Sequence, residues 1–125
     1  MERVKKLAED TRQQLKLKYD SKSIKFLEGF IERVKMNFGK EEREGLITSC
    51  GAFLGETIIK NYGGEWGKDS NGVTCVKFDN KNVAYPFAKV EKQFENGLED
   101  SVYSFFSVIP SVFEIKKKKW WQFSW

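Results

Sequence analysis

Apolar periodicity divides the chain into helical segments, then short alternating segments, then helical segments again. In residues 2–18, Val4, Leu7, Ala8, Thr11 and Leu15 recur at helical spacing with charges between them, which predicts an amphipathic helix. Its apolar stripe is thin, so it is expected on the outside. Asp20 or Ser21 is placed to cap a second helix, whose stripe of Ile24, Leu27, Phe30 or Ile31, Val34 and Phe38 runs until Gly39 stops it. Glu41, Glu42 and Glu44 then suit the start of a third helix, where the dipole favours acids. At about 100° per residue, Leu46, Ile47, Cys50, Phe53, Leu54, Thr57 and Ile58 form one broad face of it. Thr48, Ala52, Gly55, Ile59 and Tyr62 form a second, leaving Ser49, Glu56 and Lys60 as a narrow polar stripe. A helix apolar nearly all round is enclosed by other elements, so this one is predicted at the centre. Gly51 and Gly55, one turn apart, predict close approach of a neighbouring helix or sheet. Gly63-Gly64 predicts a left-handed helix end.

The pattern then changes. Glu65 to Asp69 and Val73 to Asp79 read as strands joined by Ser70-Asn71-Gly72, a hairpin signal. Asn80-Lys81-Asn82 is a second turn, and Val83-Ala84-Tyr85 a third strand ended by Pro86. A short helix follows from Ala88 to Glu95, broken by Asn96-Gly97. A last one, from Leu98 to Val108, is expected to bury Val102, Phe105, Phe106 and Ile109 before Pro110 ends it. The expected fold is α+β: three N-terminal helices, the third central, a three-stranded antiparallel meander and two short C-terminal helices. Residues 1–115 form one domain, followed by a basic and aromatic tail, 116–125.

Charge matters only at that tail. Basic residues exceed acidic ones by four, and Lys116, Lys117, Lys118 and Lys119 account for the whole excess. Beside them stand Trp120, Trp121, Phe123 and Trp125. Alternation through Phe113, Ile115, Trp121, Phe123 and Trp125 predicts an extra strand on the meander edge or over the helices, and such an edge would also suit a homodimer. The alternative is contact with an anionic membrane surface, lysines at headgroups and indoles at the interface. Stacking of single-stranded nucleic acid ranks last.

Two absences narrow the chemistry. The chain has no histidine, which excludes histidine triads, histidine general bases and histidine-bearing metal sites. Its two cysteines, Cys50 and Cys75, make neither a disulfide framework nor a zinc site and read as small buried hydrophobes. No cofactor is expected. No apolar run approaches the ~20 residues that span a bilayer, and no secretory signal is visible, so a cytoplasmic location is expected.

Two clusters carry a resemblance. One is Gly51-x-x-x-Gly55-Glu56 followed by Gly63-Gly64-x-Trp66. The other is Pro86-Phe87-x-Lys89-Val90-x-Lys92-x-x-Glu95-Asn96-Gly97-x-x-Asp100-Ser101. Over residues 45–107 the chain resembles a family of small bacterial domains of unknown function with this motif order. The resemblance carries over no activity, cofactor or catalytic residue; it implies an adaptor or immunity role. Glu56 could bind a cation or partner, against the plainer expectation of an exposed pair with Lys60. Trp66 could line a pocket, against the plainer expectation of a core plug bonded to backbone through its indole. Lys89, Lys92, Glu95 and Asp100 could form a charged recognition surface, against a solvated helix side. These observations point to a non-enzymatic domain whose partner is another protein. Peripheral membrane association through the tail comes next, and a carboxylate enzyme joining Glu56 to Asp100 third.

Overall fold

The structure, a computed structural model, describes residues 1–113. Its order is α1 (Glu2–Leu15), α2 (Ser21–Val34), α3 (Lys40–Tyr62), β1 (Glu65–Lys68), β2 (Thr74–Lys77), β3 (Val83–Ala84), α4 (Pro86–Asn96), a short 3₁₀ turn (Gly97–Asp100) and α5 (Val102–Val112). The chain is therefore α+β, with the helices and meander in the expected order. The expected C-terminal strand and the tail contacts of residues 116–125 lie outside the described residues.

Helix α3 is the centre. Every residue from Cys50 to Ile58 is buried, because α1 and α4 pack along it while the sheet and α5 cover its C-terminal half. The glycine pair works as expected. A Cβ on Gly55 would stand 2.5 Å from Trp66 Cζ2, and one on Gly51 would stand 3.0 Å from the Cα of Phe87. The two glycines let the sheet and the start of α4 approach the helix backbone. Gly63 and Gly64 both hold positive φ, turning the chain from α3 into β1.

The sheet is antiparallel in the order β1-β2-β3, with Trp66 opposite Val76 and Val76 opposite Ala84. Both turns are built on an aspartate: Asp69 Oδ1 accepts the N–H groups of Asn71 and Val73, and Asp79 Oδ1 those of Lys81 and Asn82. Helix α5 closes the core through Phe106, which packs 4.9 Å from Tyr62 between ring centroids.

Several boundaries correct the sequence reading. Helix α1 stops at Leu15 instead of residue 18, because Lys16 turns left-handed and Leu17 N–H bonds back to Arg12 O. Asp20, not Ser21, caps α2, its carboxylate accepting the Ser23 N–H at 2.8 Å. Helix α2 ends at Val34 instead of Phe38: the Arg43 guanidinium takes the Lys35 carbonyl, and Phe38 is left 40% exposed. Gly39 therefore precedes α3 instead of closing α2. Pro86 begins α4, since a first-turn residue needs no N–H partner. Leu98 belongs to the 3₁₀ turn, and α5 starts after Ser101, whose hydroxyl accepts the Ser104 N–H. Pro110 does not end α5, which runs on to Val112, and Phe105 is only half-buried.

Candidate functional site

Glu56 and Trp66, singled out separately in the sequence, are brought together. The glycine turn after α3 returns the chain along the helix, so Trp66 at the start of β1 meets the helix at Gly55 and Glu56, nearly two turns before its end. Its indole N–H donates to Glu56 Oε2 at 2.8 Å, and both residues are buried. Two expectations are corrected here. Glu56 is not an exposed partner of Lys60, although Lys60 Nζ does lie 3.9 Å from Oε1. The Trp66 indole bonds to a carboxylate and not to backbone; its place as a core plug stands. Of the narrow polar stripe, Glu56 alone falls within the buried stretch Cys50–Ile58, while Lys60 stays exposed, and an enclosed carboxylate needs a donor.

A chain of polar contacts continues outward. Lys60 lies over the Tyr19 ring at 5.1 Å, and the Tyr19 hydroxyl donates to Glu9, which also holds Arg12. Hydrogen bonds from Arg12 and then Tyr19 lower the Glu9 carboxyl from 4.5 to about 2. Burial, with Glu9 beside it, pushes the Tyr19 hydroxyl above its ordinary range. A cleft of about 200 Å³ opens over Glu56 and Trp66, bordered by Lys5 and Glu65.

The second α-helical motif is split by its own helix. On α4, Lys89 turns toward α5, its ammonium 5.0 Å from the Phe105 ring centre, and Lys92 is exposed. Glu95 turns the other way with Glu91, into a cleft of about 400 Å³ against the first turns of α3. Asp100 accepts from the Asn96 side chain at 2.7 Å. The expected surface of Lys89, Lys92, Glu95 and Asp100 is thus divided. Glu56 and Asp100, the pair a carboxylate mechanism needs, are held by separate partners.

Across the α3–α4 cleft from Glu91 and Glu95 stand Lys40, Arg43, Glu44 and Ile47. None of these five charged residues forms an ion pair among the described residues, whereas Lys25, Lys35 and Lys60 each do. Arg43 is fixed by the Lys35 carbonyl and the Phe94 face, 5.6 Å away, with its buried Nε lacking an acceptor among the described residues. The same end of the molecule exposes apolar side chains. Met36 (83% exposed) and Phe38 lie in the turn before α3, and Leu98 (60%) follows Gly97, which packs against Lys35. Of this end of the molecule, sequence reasoning singled out Glu95 and missed Lys40, Arg43, Glu44, Ile47, Glu91, Met36 and Leu98 as surface residues. The spacing of Glu91 and Glu95, and of Arg43 and Ile47, was the available signal, but it does not say that the two helix faces meet.

Among the described residues, no group of histidine, cysteine, aspartate or glutamate is arranged to hold a metal ion, and no helix is long and apolar enough to cross a membrane. No family model, no curated protein and no solved structure matches this chain.

Proposed function

We propose that this chain is a non-enzymatic protein-binding domain that recognises its partner through the end formed by the α2–α3 turn, the α3–α4 cleft and the 3₁₀ turn. The observation that carries the reading is the pairing of exposed Met36, Phe38 and Leu98 with a neighbouring cleft whose charges have no ion-pair partners among the described residues. Protein interfaces combine such an apolar patch with a polar rim. An adaptor or immunity role in a bacterium is the setting that the motif resemblance favours.

The test is affinity capture from the native host's lysate with the full chain, a version ending at Ile115, and the M36D/L98D variant. One stoichiometric protein should be retained by the first two and lost from the third. Retention by the full chain alone would transfer the function to the tail and make anionic vesicles the next ligand to test. A purified sample that turned over a metabolite with no protein added would overturn the reading.

A further inference from the structure

The far end of the molecule carries a different groove, between the end of α1 and the start of α2. It measures about 330 Å³; Leu15, Leu17 and Phe26 supply its apolar lining, and Lys16, Lys18 and Lys22 its rim. None of these three lysines forms an ion pair among the described residues. The one acid present, Asp20, is engaged in capping Ser23, so the helix start is already satisfied by its own side chain. The result is a net positive groove with an apolar floor.

The groove is also held in shape. Leu17 N–H bonds to Arg12 O, Arg12 donates back to the Leu17 carbonyl, and Lys18 N–H donates to the Ser23 hydroxyl. Lys16 is the one non-glycine residue with positive φ (56°) among the described residues. A side chain at that helix-end position is held where glycine would be easier, which projects an ammonium from a fixed loop.

We propose that this groove docks an acidic protein segment, with carboxylates on Lys16, Lys18 and Lys22 and one apolar side chain inserted against Phe26. Complementary charge selects the segment, and the preformed loop lowers the ordering cost of binding. Nucleic acid fits less well, because Phe26 is the one aromatic ring in the groove lining, and Phe30 and the Arg33 guanidinium already lie near it, 6.5 Å and 5.2 Å from its centre. Successive bases of a strand would find no row of rings to stack on. This inference concerns the start of α2, at the other end of that helix from the α2–α3 turn, and stands or falls separately from the proposed function.

The probe is a short labelled peptide of Asp and Glu around a central Leu-Phe pair, titrated into the full chain at low and at physiological salt. Wild-type protein should bind it in a salt-sensitive manner. The K16E/K18E/K22E variant should weaken binding roughly 30-fold, and F26A about tenfold, with helical content unchanged. A K116Q/K117Q/K118Q/K119Q variant should bind as wild type does. Absence of binding to the folded chain would overturn the proposal. So would loss of binding in the tail variant with the triple variant unaffected, or an affinity indifferent to F26A. Tighter binding of oligothymidylate or of phosphatidylserine vesicles through Lys16, Lys18 and Lys22 would overturn it in favour of those ligands.

Discussion

The Glu56–Trp66 hydrogen bond shows how a polar residue can lie inside an apolar core. Removing the carboxylate (E56A) leaves the indole N–H buried without an acceptor, a change expected to cost about 1–3 kcal/mol in urea denaturation. E56Q keeps an oxygen in place for the indole and is expected to cost less. Equal losses in the two variants would mean that the charge, not the hydrogen bond, is what the fold uses. Gly55 gives a second test with opposing terms. Alanine in a helix gains about 1 kcal/mol over glycine, but the new methyl group meets the Trp66 ring and the Pro86 ring. Trp66 is held by its hydrogen bond and cannot step back, so G55A is expected to destabilise by about 2 kcal/mol net.

Helix α4 is hydrogen-bonded to α2 and α5 through one side chain that periodicity alone presents as merely polar. Gln93 is fully buried; its amide donates to the Glu28 carbonyl and the Glu32 carboxylate, and its oxygen accepts the Val102 N–H. Ser101 adds a hydrogen bond to the Glu28 carboxylate, so α2, α4 and α5 meet in one polar junction. Q93L keeps the volume and orphans the donors and acceptors, with an expected loss of about 2 kcal/mol in the same assay, whereas K92A on the exposed side should stay within about 0.5 kcal/mol. The helices themselves could be read from apolar spacing, and the hairpins from the Ser70-Asn71-Gly72 and Asn80-Lys81-Asn82 turns. The ends could not, because tertiary contacts set them: Arg43 reaching back to Lys35 shortens α2, and Ser101 replaces Leu98 as the start of the last helix.

For the whole molecule, the Glu9 clamp couples α1 to the loop before α2 and makes stability depend on pH at both extremes. Glu9 is depressed from 4.5 to about 2, so its contribution is fully present above pH 4.5 and fades as pH falls toward 2. Tyr19 is raised above 10, so its contribution holds below that pH and fades as pH rises through the folded-state value. Urea midpoints measured across the acid window should fall less steeply for E9Q than for wild type; parallel slopes would remove Glu9 from the account. The site was harder to read than the fold. Glu56, Trp66 and Glu95 could be singled out by motif, but the α3–α4 cleft joins Arg43 to Glu91 across a long stretch of chain. Only the packing of α4 on α3 brings them together. The contact between Gly55 and Trp66 has a bearing on how such a chain can change through descent. A larger residue at position 55 is tolerated only where position 66 has already shrunk. Two positions on different elements must therefore drift together, and a lineage that lost the tryptophan first would be the one free to lose the glycine.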